Sequence, residues 1–295
     1  MDTLGIIGAG QMGGGMWRNL HKKGRTAMVY DVRTEACQPL ALLGAKVAES
    51  PGDIASQCSE LILSLPKSDD VEQACLGPGG VIEGAKPGTT VIDATSGEPI
   101  VTKRISARLA GKRINMVDMG VSGGPLGALN GTLLIMLGGD KAVVDKHNDL
   151  FKLLGQRIHY CGGSGAGHAM KTLLNLRNQV INIITAEVLL IGAKAGLEPK
   201  KVVEVTGAGA IWDNYILNPE GRKAIGFALA LACKDFDVAQ RLAMDVGVPG
   251  MVASTGRDVF HAALAEVGKD ADVFRFVDAL EKWAGHNLPG HPKGR

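Results

Sequence analysis

A glycine-rich hexapeptide near the N-terminus has the residue types and spacing of a phosphate-binding turn. Gly8-Ala9-Gly10-Gln11-Met12-Gly13 is a GxGxxG pattern that follows a short apolar run and opens a helical pattern. In that setting Gly8 permits a tight turn, Gly10 lets the backbone approach a pyrophosphate, and Gly13 lets the helix pack closely on the strand. The free amides at the start of the helix then face the phosphates. The pattern therefore predicts a dinucleotide site that includes all six residues.

A carboxylate and an arginine after the second predicted strand bear on which dinucleotide is bound. Asp31 lies about twenty residues beyond Gly10, where a carboxylate accepts hydrogen bonds from both adenosine ribose hydroxyls and repels a 2′-phosphate. Arg33 partly offsets that repulsion. We therefore expect NAD as the cofactor, with NADP as the alternative. A cluster of turn glycines in an unrelated α/β protein is the competing interpretation, which the strand, the helix and Asp31 together disfavour.

A lysine and an asparagine in the middle of the chain could exchange protons with a substrate. Lys171 and Asn175 are four residues apart in a helical pattern, so they share one face, which is otherwise lined by apolar residues. Burial lowers the pKa of a lysine toward neutrality, which suits general acid-base catalysis. On periodicity alone, an exposed surface lysine is the better interpretation. We expect His168, three residues earlier, to cap the helix or lie on the surface, with a position near the cleft as the alternative.

Three further runs of small or polar residues come after predicted strands. They are Leu65-Pro66, Thr95-Ser96 and Ser122-Gly123-Gly124. Loops beyond the carboxyl ends of parallel strands line one ligand crevice, so we expect these runs at the same site. Thr95 and Ser96 either contact a ligand or cap the helix that Pro99 opens. The Ser-Gly-Gly run offers a hydroxyl and unhindered amides to a small carboxylate, or is a connecting turn.

The elements that position these residues alternate between strand and helix patterns. Strands are predicted at 4–7, 27–30, 60–65, 90–93, 113–117, 133–137 and 157–160, with helices at 10–23, 34–43 and 99–110. Such β-α-β repeats predict an α/β fold, a Rossmann-type doubly wound sheet in residues 1–163 that binds NAD. Helical patterns at 166–195, 235–246, 250–264 and 272–283 predict an all-α substrate and dimerisation domain in residues 164–295. The first of these patterns is long enough to be an interdomain helix.

Composition disfavours several classes of function. The net charge is +2 and aromatic residues make up 4% of the 295 residues, which argues against nucleic-acid binding. The five cysteines are odd in number and widely spaced, which disfavours a disulfide framework and favours a reducing, cytoplasmic location. Asn182, Glu187 and Lys194 interrupt the most apolar stretch, so we expect no membrane span. We expect no metal site, because the seven histidines show no ligand spacing.

Four motifs occur in order along nearly the whole chain. Residues 8–20 match GxGxMGxxMxxNL, residues 118–124 resemble DxPVSGG, residues 165–175 match GxGxxxKxxxN, and residues 234–239 match KDxxxA. In these motifs the sequence resembles the β-hydroxyacid dehydrogenase family, which includes 3-hydroxyisobutyrate dehydrogenase and tartronate semialdehyde reductase.

The resemblance implies reversible NAD(P)-dependent oxidation of a small 3-hydroxy acid, such as 3-hydroxyisobutyrate, to its semialdehyde or keto acid. Lys171 would take the hydroxyl proton as hydride leaves for the nicotinamide, and Asn175 would hold the substrate or Lys171 in place. The implied substrate-binding residues are Ser122, Gly123, Gly124 and Thr95, and the implied cofactor residues beyond the glycine loop are Asp31, Arg33, Leu65, Pro66, Ser96 and Lys234. The resemblance also implies a homodimer or homotetramer.

Three positions depart from the family pattern. Gly120 stands where the family usually has proline, which we expect to loosen the substrate loop. Gly15 replaces another usual proline, and Thr95-Ser96 reverses the usual Ser-Thr order. These departures leave in place every chemical group that the reaction needs.

The sequence leaves three alternative functions open. A reductase of glyoxylate, tartronate semialdehyde or succinic semialdehyde would use the same kind of site. An imine reductase has a related fold, but those relatives often lack the groups that Lys171 and Ser122 supply. A catalytically inert dinucleotide-binding module is the non-enzymatic alternative, which the Lys171-Asn175 pair disfavours.

Overall fold

Strands and helices alternate in the first part of the chain, and helices make up most of the rest. The computed structural model describes residues 4–209, 211–218 and 227–291. The chain divides into two compact units, residues 1–171 and residues 172–295. The long helix Ala166–Lys194 begins in the first unit and continues in the second.

Seven strands of the described residues form one sheet. They are β1 (Leu4–Ile7), β2 (Ala27–Tyr30), β3 (Glu60–Leu63), β4 (Thr90–Asp93), β5 (Asn115–Ser122), β6 (Leu133–Gly139) and β7 (Gly155–Gly162). Their spatial order is β2-β1-β3-β4-β5-β6-β7, parallel throughout except for the antiparallel pair β5-β6. Because β2 and β3 flank β1 on opposite sides, the strand order reverses there. Open α/β sheets bind ligands at such a point.

Helices connect these strands and form the second unit. The first unit contains α1 (Gln11–Lys22), α2 (Thr34–Ala41), α3 (Pro51–Gln57), α4 (Ser68–Leu76), α5 (Val81–Gly84), α6 (Pro99–Ala110), α7 (Gly124–Asn130), α8 (Lys141–Lys146), α9 (Asn148–Leu154) and the start of α10 (Ala166–Lys194). The second unit contains the rest of α10, α11 (Pro199–Thr206), α12 (Leu229–Asp245), α13 (Met251–Val267), α14 (Phe276–Ala284), a π-helical turn (Trp212–Ile216) and a 3-10 turn (Val273–Arg275).

Both faces of the sheet are covered by apolar side chains. Consecutive residues of a strand point to opposite faces, and in β3 Leu61 and Leu63 belong to one hydrophobic cluster while Ile62 belongs to another. Val91 and Ile92 of β4 divide between the same two clusters. The predicted doubly wound α/β fold is therefore confirmed.

The second unit has a hydrophobic core of its own. Phe260 lies between Phe236 and Phe276, with ring centroids 5.1 and 4.9 Å away. Gly256 of α13 permits this packing, since a Cβ atom there would lie 2.7 Å from the ring of Phe236. The helices of this unit are thus held together by aromatic contacts between α12, α13 and α14.

A buried polar network lies at the edge of the sheet where β3 and β4 begin. His147 is 3% exposed and bonds through Nδ1 to Glu60 Oε1 at 2.7 Å and through Nε2 to Thr90 Oγ1 at 2.9 Å. Glu60 also pairs with Arg25. Glu60 and Thr90 are the first residues of their strands, so this network lies at the opposite end from the loops predicted to bind ligands.

Two predictions about elements need correction. The strand predicted to end at residue 117 continues to Ser122, because β6 supplies antiparallel partners for residues 117–122. In addition, α10 is long and apolar enough to cross a membrane by length and composition, despite Asn182, Glu187 and Lys194. A single helix of this kind is weak evidence for a span, since core helices of soluble proteins meet the same criterion.

Candidate active site

The carboxyl ends of five strands lie side by side at one edge of the sheet. The pairing places Ile7 between Tyr30 and Leu63, Leu63 beside Asp93, and Asp93 beside Asp118. The glycine loop, Asp31, Leu65-Pro66, Thr95-Ser96 and the second half of β5 follow these strand positions directly. The structure therefore gathers these predicted site residues along one edge of the first unit.

The glycine loop has the shape that a pyrophosphate requires. Gly8 has φ of 99°, and a Cβ atom there would lie 2.2 Å from the carbonyl oxygen of Ser64. A Cβ atom at Gly13 would lie 1.9 Å from the carbonyl oxygen of Gly8, so both positions exclude side chains. At Gly10, the N-cap of α1, a Cβ atom would enter open space, and no side chain caps the helix. The first-turn amides are thus left to a ligand, and the loop fits a dinucleotide phosphate.

Two further glycines in α1 allow close helix packing. A Cβ atom at Gly15 would lie 3.2 Å from Ala128 Cβ and 3.4 Å from the carbonyl oxygen of Pro125, so α1 approaches α7 closely there. A Cβ atom at Gly14 would lie 3.0 Å from the carbonyl oxygen of Ala9. Each glycine lowers helix propensity by up to ~1 kcal/mol relative to alanine, and at Gly15 the close approach of α7 leaves little room for a side chain.

Asp31 is tied to the glycine loop. Its Oδ2 accepts a hydrogen bond from the Ala9 amide at 2.8 Å, and its Oδ1 accepts one from the Arg33 amide at 2.9 Å. The guanidinium Nε of Arg33 lies 3.6 Å from the same Oδ1, with the arginine side chain 66% exposed. A carboxylate has about four acceptor sites, so Asp31 retains capacity for further donors.

Thr95 and Ser96 occupy different environments. Thr95 is 2% exposed, and its hydroxyl accepts a hydrogen bond from the Leu65 amide at 3.1 Å, which joins the loops after β3 and β4. Ser96 is exposed. The N-cap of α6 is Glu98, without a side-chain cap bond. Capping of α6 by Thr95 or Ser96, one of the two predicted alternatives, is therefore not what the structure contains.

Three alternate residues of β5 face the start of α10. Asp118 accepts hydrogen bonds from the Gly165 amide at 2.7 Å and the His168 amide at 2.9 Å. Two residues later, a Cβ atom at Gly120 would lie 2.7 Å from Lys171 Cβ. Side chains at alternate strand positions point to the same face, so Ser122 points to the face of β5 that α10 covers. The strand therefore places the hydroxyl of Ser122 on the same side as Lys171.

The expectation that Gly120 loosens a loop is wrong. Gly120 is a buried residue of β5, paired with Met136 of β6. The absence of a side chain lets α10 lie directly against the strand, since a Cβ atom would also approach the Gly167 carbonyl oxygen to 2.7 Å. Gly120 thus tightens the contact that positions Lys171.

The Ser-Gly-Gly run ends β5 and opens α7. Ser122 is half-buried, whereas Gly123 and Gly124 are exposed and have φ of 129° and 63°. These backbone conformations favour glycine. The run therefore presents one hydroxyl and unshielded backbone amides to solvent at the end of the strand that contacts Lys171.

The favoured expectation for His168, a helix cap or a surface position, is wrong. The residue is fully buried, with Nδ1 2.8 Å from Thr102 Oγ1 and Nε2 3.1 Å from the carbonyl oxygen of Asp93. Burial raises the pKa of Asp93, while His168 and the hydrogen bonds from Thr95 oppose that increase. In the sequence, the only local signal for this buried position was that His168 lies one helical turn before Lys171.

The second unit holds the remaining predicted residues. Asn175 Nδ2 donates to Asp235 Oδ2 at 2.7 Å, and Lys234, which is half-buried, precedes Asp235 on α12. The sequence motif identified Lys234 and Asp235, but the hydrogen bond from Asn175 to Asp235 was not predicted.

One group of potential metal ligands lies elsewhere in the second unit. Among the described residues, Asp278, Glu281 and His291 have ligand atoms within 4.8 Å of one another. Asp278 pairs with Arg275, and Glu281 pairs with His291 and accepts a hydrogen bond from the Leu288 amide at 2.8 Å. The bonds of Glu281 connect α14 to the segment that follows it, and the pair of Asp278 with Arg275 connects α14 to the turn that precedes it.

The fold and the glycine loop define a nicotinamide-dinucleotide-binding oxidoreductase, and comparison with known proteins agrees. Residues 3–163 match the NAD binding domain of 6-phosphogluconate dehydrogenase, and residues 165–280 match the domain described as NAD-binding of NADP-dependent 3-hydroxyisobutyrate dehydrogenase. The chain belongs to the β-hydroxyacid dehydrogenase family, whose members act on hydroxyl groups with NAD or NADP.

Similar proteins cover the chain almost from end to end. The sequence is 32% identical to 2-(hydroxymethyl)glutarate dehydrogenase of Eubacterium barkeri, over 97% of each chain. It is also 32% identical to 2-hydroxy-3-oxopropionate reductase of Escherichia coli, over 97% of this chain and 99% of that one. The solved structure of Mycobacterium tuberculosis 3-hydroxyisobutyrate dehydrogenase with L-serine has a TM-score of 0.87 at 25% identity, over 95% and 99% of the two chains.

Alanine substitutions at two glycines should separate cofactor binding from folding. Gly10→Ala adds a methyl group in open space at the helix N-terminus, so we expect an unchanged melting temperature but an NAD dissociation constant raised at least about tenfold, equivalent to ~1.4 kcal/mol. Gly13→Ala forces a methyl group against the Gly8 carbonyl and should lower the melting temperature. Calorimetric titration and thermal unfolding measure both effects. Unchanged NAD affinity in Gly10→Ala would refute the assignment of this loop.

Proposed function

We propose that this enzyme reversibly oxidises a short 3-hydroxy acid to the corresponding semialdehyde or keto acid, with Lys171 as general acid-base. The observation that supports the proposal is the arrangement on β5, where Gly120 contacts Lys171 and Ser122 faces the same side. Lys171 could therefore exchange a proton, and Ser122 could donate a hydrogen bond to a carboxylate, on the same side of this strand. Oxidation of an alcohol that also bears a carboxylate requires both groups.

The proposed chemistry divides between two groups of residues. The Ser122 hydroxyl and the amides of Gly123 and Gly124 bind the substrate carboxylate, which leaves the substrate hydroxyl to Lys171. The nicotinamide, when bound, supplies the hydride acceptor. The neutral amine of Lys171 takes the hydroxyl proton during oxidation and returns it during reduction, and this proton transfer contributes typically 10²–10⁴-fold to the rate. Orientation of the substrate before reaction contributes further.

Other predicted residues receive supporting roles. Gly8 to Gly13 bind the pyrophosphate, Asp31 and Arg33 flank the adenosine ribose, and Leu65, Pro66 and Ser96 line the nicotinamide end. Thr95, whose hydroxyl bonds to the Leu65 amide, orients that loop and adds to the substrate side. In the second unit, Asn175 donates a hydrogen bond to Asp235, the residue that follows Lys234 in the chain. Asn175 and Lys234 both stay predicted site residues.

The proposed substrate class follows from what the relatives' names share. 3-Hydroxyisobutyrate, 2-(hydroxymethyl)glutarate and the alcohol formed from 2-hydroxy-3-oxopropionate all have a primary alcohol on the carbon next to a substituted carbon that bears a carboxylate. L-Serine, bound in the mycobacterial structure, has the same frame. We therefore propose a substrate of the form HOCH₂–CH(R)–COO⁻. The bacterial reductase relative supports aldehyde reduction as the second candidate for the direction of the reaction.

The remaining predictions concern the whole protein. We propose residues 1–163 as the dinucleotide-binding domain and residues 164–295 as the helical substrate and dimerisation domain. A cytoplasmic location and a homodimer or homotetramer are likewise proposed, the second from family resemblance.

The role of Lys171 can be tested with a substrate panel. NADH formation should occur with HOCH₂–CH(R)–COO⁻ acids in which R is methyl, hydroxyl, amino or carboxyethyl, and not with lactate or 4-hydroxybutyrate. Lys171→Ala should lower kcat on the best substrate by about 10²–10⁴-fold with little change in NAD affinity. Lys112→Ala, at an exposed lysine before β5, is the control. Retention of wild-type kcat in Lys171→Ala would contradict the proposed mechanism.

Cofactor choice can be tested at Asp31. Asp31→Asn removes the negative charge but keeps an oxygen that can accept from the Ala9 amide. Because a carboxylate repels a 2′-phosphate, the ratio of kcat/KM with NADP to that with NAD should rise about tenfold or more, equivalent to ~1.4 kcal/mol or more. Arg33→Ala is measured in parallel. An unchanged ratio in Asp31→Asn would mean that another group sets the preference for NAD over NADP.

A further inference from the structure

His168 of α10 is bonded to three other elements of the first unit, through its buried side chain and its backbone amide. Its imidazole Nδ1 lies 2.8 Å from Thr102 Oγ1 on α6, and Nε2 lies 3.1 Å from the carbonyl oxygen of Asp93 at the end of β4. Its backbone amide donates to Asp118 on β5 at 2.9 Å. Both the side chain and the backbone of this residue are therefore fixed, by partners on different elements.

The ring of His168 also supports the 94–98 loop, which contains Thr95 and Ser96. A Cβ atom at Gly97 would lie 2.7 Å from His168 Nδ1 and 2.8 Å from Cε1. The loop backbone thus approaches the imidazole as closely as it can, and only glycine permits that approach. The loop rests on a residue of α10 that lies one turn before Lys171.

We propose that His168 is a positioning residue that sets Lys171 relative to the 94–98 loop. The inference rests on the function proposed above for Lys171, Thr95 and Ser96. His168 fixes the rotation of the first turn of α10, and residues three apart on a helix lie on the same side. Movement of the imidazole would therefore shift both Lys171 and the 94–98 loop, which packs against the ring at Gly97.

The two ring nitrogens of His168 have chemically different partners. The Asp93 carbonyl can only accept, so Nε2 carries the proton and donates to it. Nδ1 lies 2.8 Å from the hydroxyl oxygen of Thr102, whose hydroxyl also donates to the Glu98 carbonyl oxygen at 3.1 Å. A glutamine side chain can reproduce the donor at Nε2, whereas leucine keeps the volume and removes both hydrogen bonds. These two substitutions separate the hydrogen bond to Asp93 from the filling of space.

His147 provides a matched control for His168. It is another buried histidine with both ring nitrogens bonded, but its partners Glu60 and Thr90 lie at the opposite end of the strands. His147→Leu should lower the free energy of unfolding and leave kcat per folded molecule within about twofold. His168→Leu should lower kcat about 10- to 100-fold, because misplacement of a catalytic group by ~1 Å can lower the rate about 10²-fold.

Two further readouts distinguish positioning from general stability. The NAD dissociation constant of His168→Leu should stay within about twofold of wild type, since Thr102, Asp93 and Asp118, which bond to His168, all lie outside the glycine loop. His168→Gln should recover most of the lost kcat. Gly97→Ala, which presses a methyl group on the ring, should reproduce the loss of kcat. Gly163→Ala, where a Cβ atom meets open space, is its control.

The outcomes separate failure of this inference from failure of the proposed function. If Lys171→Ala abolishes turnover while folded His168→Leu and Gly97→Ala retain wild-type kcat, the positioning role is overturned and the proposed function stands. If His168→Leu does not fold, the kcat of Gly97→Ala decides in the same way. If Lys171→Ala itself retains turnover, the proposed function is refuted and the role of His168 with it.

Discussion

The carboxylate of Asp118 bonds the first amides of α10, and the position of Lys171 depends on that contact. Asp118 is 1% exposed, so hydrogen bonds from the protein take the place of water around its carboxyl group. The helix N-terminus supplies unpaired amides and the positive end of the helix dipole, which suit a buried carboxylate. Gly138 of β6 makes room for this, since a Cβ atom there would lie 2.6 Å from both carboxylate oxygens.

Close backbone packing also holds the start of α10 in place against the sheet. Gly167 lies so near the sheet that a Cβ atom would come within 2.5 Å of the Met136 carbonyl oxygen, and Gly120 similarly leaves no room opposite Lys171. Because neither contact contains a flexible side chain, α10 has little freedom to shift along β5. The proposed general acid-base role of Lys171 requires such fixed placement. The residues proposed for dinucleotide binding, by contrast, follow β1 and β2.

The sequence predicted the parts of the molecule that local patterns encode. Buried apolar runs located β1, β2 and β4 at the observed bounds, and the spacing after Pro99 located α6. The second half of β5 was missed because Asp118 and Gly120 carry weak strand propensity, and the strand forms there through its pairing with β6. His168 was misplaced because its partners are 66 and 75 residues away in sequence. Family motifs named Lys171 and Ser122, but only the alternation along β5 shows that both lie on one face.

The central claim, that contact between β5 and α10 places Lys171 for proton transfer, is tested most directly by the kcat of Gly120→Ala. The added methyl group would occupy space 2.7 Å from Lys171 Cβ, while the glycine loop stays unchanged. With saturating NAD and the best HOCH₂–CH(R)–COO⁻ substrate, kcat should fall at least about tenfold while the NAD dissociation constant stays within about twofold of wild type. A folded Gly120→Ala enzyme with wild-type kcat would contradict the account.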